Sequence, residues 1–284
     1  MMKNEDSKQN ETQAFLNDLE HLIQFPGGEP HVTQNEPLTG IHYALSRGGS
    51  AYDMVSIMMW GQAVRQDQGV PVLFLPYLPG ARADKVPRQE ANIYSQMINA
   101  SSCEQVIALD PHSSYICERI NNLVILEAAD VVKELFPVQI KNKLVGIIAP
   151  DAGAKKRASL VAESLGLPVF QAYKHRDFIT GTLSGFSCDP LPEKGDLLIV
   201  DDICDGGGTF MGLASAIPTR KGKLHLYVSH GIFSGKAEQL VQYYESIITT
   251  NSHPGCYNLQ HLPQVQILDI DKFLYEHFQK IGGF

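Results

Sequence analysis

Short apolar runs alternate with stretches whose apolar positions recur at helical spacing through most of the chain. IHYAL at 41–45, VPVLFL at 70–75, QVIALD at 105–110 and LVILEA from Leu123 predict strands. After the first, Ser50 is placed to N-cap a helix on which Val55, Met58, Met59, Gln62 and Ala63 share a face, with Gly69 ending it. Further helical periods run from about Glu90 to Ala100 and from about Asp130 to Phe136. The rhythm then restarts. KLVGIIAP (143–150), PVFQAY (168–173), DLLIVDD (196–202), KLHLYVSH (223–230), SIITT (246–250) and VQILDI (265–270) predict strands. Helices are predicted at 155–165 and at the end, to about Gln279. This alternation is that of parallel sheets covered on both faces. Pro137, near the midpoint, marks the expected boundary between two α/β units.

Composition narrows the class. A length of 284 residues suits two domains, and 44% hydrophobic residues exclude wholesale disorder. Five cysteines, odd in number and without a CxxC pair, suit a reduced intracellular protein with no zinc site. No apolar stretch approaches the ~20 residues of a membrane span. The polar start, MMKNEDSKQNETQ, is neither a signal nor a transit peptide, and is expected to be mobile or to lead into a helix through AFLNDLEHLI. A soluble, cytoplasmic protein is expected. The net charge of −8 argues against nucleic acid or anionic membrane as a partner, since either needs a basic surface. A polyanionic ligand would need local positive charge.

The most informative stretch is LLIVDDICDGGGTF, 197–210. An apolar strand ends in Asp201 and Asp202; Asp205, then Gly206, Gly207, Gly208 and Thr209, lead into a helix. The glycines let backbone amides approach a ligand, and a helix N-terminus favours phosphate. The acids would repel a bare pyrophosphate. A ligand carrying both a phosphate and a diol, or Mg²⁺, reconciles the two. A dinucleotide GxGxxG would need glycine where Met211 stands, and no GxxxxGK[ST] occurs.

This stretch resembles the phosphoribosyl-pyrophosphate motif of type I phosphoribosyltransferases and ribose-phosphate pyrophosphokinases. Other segments resemble the pyrophosphokinases alone, in one order from about residue 20 to 282. PYLPGARADK (76–85) is similar to their ATP-site loop, with Arg82, Asp84 and Lys85 in its positions. LDPHS (109–113) is similar to their histidine motif, and FPGGE (25–29) to the adenine-contacting hairpin, keeping Phe25 and Glu29. APDAGAKKRA (149–158) carries Asp151, and YKHRDF (173–178) sits where they have a mobile catalytic loop, with Lys174 and Arg176 at its cationic positions. SHGIFSGKA (229–237) also matches.

The resemblance implies two type I phosphoribosyltransferase-like, Rossmann-like domains with mainly parallel sheets: 13–137 completed by 266–284 on the ATP side, and 138–265 on the ribose-phosphate side. It implies transfer of the β,γ-diphosphate of Mg-ATP to the anomeric hydroxyl of a 5-phosphorylated ribose. His112 and Asp151 would meet Mg²⁺, and His112, Lys174 and Arg176 would be catalytic. Asp201 and Asp202 would face the ribose hydroxyls, and Asp205 to Thr209 would complete the ribose-phosphate site. A homo-oligomer, dimer or hexamer, is implied. The alternatives are a type I phosphoribosyltransferase, which would leave 76–113 without a role, and a non-catalytic regulatory subunit.

Four departures from the usual pattern stand out. Gly206 replaces the threonine usual before the two glycines, removing a hydroxyl and a side chain from the phosphate wall. Gly27 replaces an acid in the adenine hairpin, Ala83 a polar residue beside Arg82, and the segment between the hairpin and the first helix is short. The first opens the expectation of a 5-extended acceptor such as ADP-ribose, as in a phage-type variant feeding NAD synthesis.

Overall fold

The structure, a computed structural model, describes residues 22–33, 36–83, 89–176 and 183–280. The expected N-terminal segment and the site positions Asp84 and Lys85 lie outside the described residues. Two compact units divide the chain: residues 1–126 with 270–284, and 127–269.

In the first unit a hairpin of β1 (Leu22–Gln24) and β2 (Pro30–Val32) precedes a four-stranded parallel sheet. The sheet comprises β3 (Ile41–Leu45), β4 (Val70–Phe74), β5 (Gln105–Leu109) and β6 (Leu123–Leu126), in that order. Consecutive parallel neighbours joined by right-handed crossovers send their helices to one face. These are α1 (Ala51–Gln66), α2 (Gln89–Ala100) and α3 (Ser114–Cys117). Their apolar residues meet Ala44, Leu73, Leu75, Val106 and Ala108 in one core.

Ser50 caps α1 as expected: its hydroxyl accepts from the Asp53 amide at 3.1 Å, and the Asp53 carboxylate accepts from the Ser50 amide at 2.9 Å. The buried face of α1 differs from the predicted one. Met54, Ile57, Trp60, Gly61 and Val64 point inward, while Val55, Met58, Met59 and Ala63 are half-exposed. Apolar residues occupy both sides of this helix, so their spacing does not fix its phase. Gln62 is exposed and donates to the Ala100 carbonyl and the Ser102 hydroxyl.

The other sheet face is covered from the far end of the chain. Phe278 of α8 (Asp271–Lys280) sets its ring edge-on to Tyr43 and Phe74, both at 5.8 Å, and Asp271 pairs with Arg47.

The second unit begins before Pro137, with α4 (Ala128–Leu135) and the short α5 (Val138–Lys141). Packing explains why: α4 lies against α6 (Lys155–Leu165), and Phe136 meets Tyr227 with ring centroids 6.2 Å apart. Its sheet holds β7 (Leu144–Ala149), β8 (Val169–Arg176), β9 (Leu183–Cys188), β10 (Asp196–Cys204), β11 (Leu224–Gly231), β12 (Ser246–Thr250) and β13 (Val265–Leu268). The spatial order is β13-β12-β11-β10-β7-β8-β9, parallel except for the β8–β9 pair. Between β10 and β11 lies α7 (Gly208–Ala216).

Strand β9 went unpredicted, because LSGFSC lacks a sustained apolar run. Its pairing also corrects the reading of 174–176 as loop. These residues extend β8, with Lys174 opposite Phe186 and Arg176 opposite Leu183. Asp177 and Phe178 lie outside the described residues.

Candidate active site

In the seven-stranded sheet the chain leaves β7 toward β8 on one side, and β10 starts the opposite run. The carboxyl ends of β7 and β10 therefore border the switch point, where open α/β sheets bind their ligands. Sequence-predicted site residues gather there. Asp151 follows β7, and Asp201 and Asp202 stand near the end of β10.

Asp151 is met by Lys174, whose Nζ lies 2.6 Å from Oδ2, and its Oδ1 accepts from the Ala154 amide at 3.1 Å. Burial works against the Asp151 charge, but Lys174 and the amides of Ala154 and Gly153 outweigh it. The carboxyl is held below the ordinary range.

Asp201 and Asp202 share a partner that sequence reasoning missed. Arg157, in the first turns of α6, sets Nη1 3.3 Å from Asp201 Oδ1 and Nη2 3.3 Å from Asp202 Oδ2. All three side chains are withdrawn from solvent, at 11%, 14% and 4% exposure respectively. Burial, then the charge of Asp202, drives the Asp201 pKa well above the carboxylate range, with Arg157 pulling the other way. A signal for Arg157 was present in Lys155-Lys156-Arg157. Only the arginine stands one helical turn before Val161, on the buried side with Ala158 and Ala162.

The loop after β10 turns sharply. Gly207 caps α7 at φ 76°, where a Cβ would also come within 3.1 Å of Leu240. Built on Gly206 or Gly208, a Cβ would meet nothing within 4 Å. Thr209 is half-buried in the first turn of α7. Asp205 accepts the Ser234 hydroxyl on its carboxylate and the Ser234 amide on its carbonyl, the latter at 3.1 Å. SHGIFSGKA thus braces the loop from the end of β11. Open space over two glycines beside a helix N-terminus can admit a phosphate group, and the neighbouring acids can accept from hydroxyls.

The first unit carries the other predicted positions. Phe25 is exposed at the hairpin tip and stacks on His31 at 4.9 Å. The turn is closed by the Phe25 amide donating to the Glu29 carbonyl at 2.9 Å. The Glu29 carboxylate lies over Gly27, where a Cβ would come 2.5 Å from Oε2. Thus Glu29 fills the space of the side chain that Gly27 lacks. Exposed Arg82 sits in the turn after β4. Exposed His112 follows β5, between buried Asp110, at φ 41°, and Ser113, which caps α3. Because β4 and β5 are parallel neighbours, Arg82 and His112 both follow the carboxyl end of that sheet.

Among the described residues no three His, Cys, Asp or Glu side chains cluster as a metal-binding group. Nor is any described helix long and apolar enough to cross a membrane.

These units define a protein of the α/β class, each built on a sheet whose strands run mainly parallel. No family model matches the sequence. Its fold is similar to that of phosphoribosylpyrophosphate synthetase from Mycobacterium smegmatis, with a TM-score of 0.76 over 92% of this chain and 89% of that one, at 20% identity. Orotate phosphoribosyltransferase from Aeropyrum pernix matches over 55% of this chain and 74% of its own, with a TM-score of 0.35 and 16% identity. At 20% identity the likeness to the synthetase is one of fold.

Proposed function

We propose that the chain is a pyrophosphokinase that transfers the β,γ-diphosphate of Mg-ATP to the anomeric hydroxyl of a 5-phosphorylated ribose, releasing AMP. The observation that carries this reading is one continuous segment at the switch point. It sets the arginine-bridged acids Asp201 and Asp202 directly before an open glycine turn and a helix N-terminus. Acids facing a diol, beside amides facing a phosphate, match the two ends of a ribose 5-phosphate.

In the reaction the anomeric oxygen attacks the β-phosphorus, the bond from the bridging oxygen to that phosphorus breaks, and AMP leaves with the bridging oxygen. The hydroxyl proton goes to solvent or a nearby base. Positioning and charge stabilisation supply most of the catalysis. Asp201 and Asp202 would fix the ribose hydroxyls, and Gly206 to Thr209 the 5-phosphate, with Asp205 shaping that turn. Lys174, joined by Arg176, would lie against the migrating diphosphate. Phe25 and Glu29 would meet the base, and Arg82, with Asp84 and Lys85, the ATP phosphates.

Magnesium binds through few protein carboxylates, completing its shell with water and substrate phosphates. The partly exposed Asp151 carboxylate fits that demand. Bound there with the nucleotide, Mg²⁺ would neutralise phosphate charge.

The open side of Gly206 supports a finer reading, an acceptor extended beyond its 5-phosphate such as ADP-ribose, yielding its 1-pyrophosphate. AMP release measured with ribose 5-phosphate and with ADP-ribose tests both levels. A preference for ADP-ribose is expected. A strong preference for ribose 5-phosphate removes the extended acceptor, and no AMP with either removes the pyrophosphokinase.

A further inference from the structure

Two adjacent carboxylates withdrawn from water repel each other. Unbraced, the Asp201–Asp202 site would lack a fixed orientation. Arg157 meets both acids. The two terminal nitrogens of Arg157 reach different residues, Asp201 through Oδ1 and Asp202 through Oδ2, each at 3.3 Å. The acids are also anchored by backbone: Asp201 Oδ1 accepts from the Asp202 amide at 3.0 Å, and Asp202 Oδ1 from the Ile203 amide at 2.8 Å. Asp202 is thereby held by both oxygens. Its carboxylate is a fixed wall, and Asp201 is the more accessible of the two.

We propose that Arg157 is the positioning residue of the acceptor site, bridging Asp201 and Asp202 so that the pair presents one pre-oriented surface to the sugar diol. Arg157 comes from α6, which follows β7, so it links the loop carrying Asp151 to the end of β10 across the switch point. A planar fork with two separated donors is required. A lysine supplies the charge from one point and can face only one acid well. This role rests on the pyrophosphokinase reading and names a determinant of its acceptor affinity.

The experiment uses the full chain with Arg157→Met and Arg157→Lys, measuring AMP release while ribose 5-phosphate, ADP-ribose and ATP are varied in turn, with thermal unfolding alongside. A hydrogen bond to a charged group implies a loss of at least about tenfold in acceptor affinity. Arg157→Met should therefore raise the acceptor KM by about that factor or more, while the ATP KM stays within about twofold. Arg157→Lys should recover part of the loss. A role confined to folding would lower the unfolding temperature and leave the ratio of the two KM values unchanged. If the methionine variant does not fold, the lysine variant carries the same comparison. Wild-type turnover with an unchanged acceptor KM in the folded variants overturns the role of Arg157 alone. Absence of AMP from the wild type overturns the proposed function, and this role with it.

Discussion

Replacing Lys174 with methionine separates catalysis from stability by magnitude. Methionine keeps most of the stem and removes the ammonium that lies 2.6 Å from Asp151. At that distance the attraction is about 1.6 kcal/mol under bulk-water screening. The two side chains are 23% and 31% exposed, and pairs of that kind contribute about 0.2–1 kcal/mol net to folding. A donor that meets charge developing in the transition state is worth ~10²–10³ in rate, or about 2.7–4 kcal/mol. The variant should therefore lose most of its kcat while unfolding within a few degrees of the wild type.

Acid titration adds a second readout. Asp151 has its folded pKa lowered, so its stabilising contribution is present above the ordinary carboxylate value of about 3.9 and is lost as pH falls through the lower folded value. Without Lys174 that value rises toward or past the ordinary one, and the acid-side contribution shrinks or changes sign. Steady-state AMP release and pH-dependent thermal unfolding measure both effects. An unchanged kcat would falsify the catalytic role. A fall in rate matched by an equal loss of folded protein would reduce Lys174 to a structural ion pair.

Other outcomes follow from the same site. Gly206→Thr should fold normally, since its Cβ meets nothing within 4 Å, and should move preference toward ribose 5-phosphate by roughly fivefold, the worth of one hydrogen bond; competition between the two acceptors measures it. Gly207→Ala should instead lower stability by about 1–2 kcal/mol in denaturant titration, because the residue is left-handed at φ 76° and faces Leu240. Asp201→Asn should abolish acceptor use while raising the unfolding temperature near neutral pH. The Asp201 pKa is raised, so its ionised form is penalised as pH climbs above the unfolded carboxylate value, and asparagine removes that penalty. A fall in stability at neutral pH would contradict this sign.

Much of the candidate site was legible because its residues lie in runs. Asp201 to Thr209 occupy one strand end and one turn, so local spacing carries their relation. Arg157 was not legible. Its partners stand 44 and 45 positions away, and they meet only because β7 and β10 are neighbours although β8 and β9 separate them in the chain. Lys174 was found as a cation, but its place in a strand depends on β9, which has no clear apolar pattern of its own.

The alternation of apolar runs and helical periods determined the α/β class, most of the succession of elements and the cap at Ser50. Those properties arise from side-chain periodicity and local hydrogen bonding, which short segments contain. Tertiary structure decided the rest. It set which face of α1 is buried, returned Phe278 to the first sheet, gave α4 to the second unit and brought Arg157 between two acids. Each of these outcomes depends on contacts between distant segments, and such contacts exist only once the strands have taken their order.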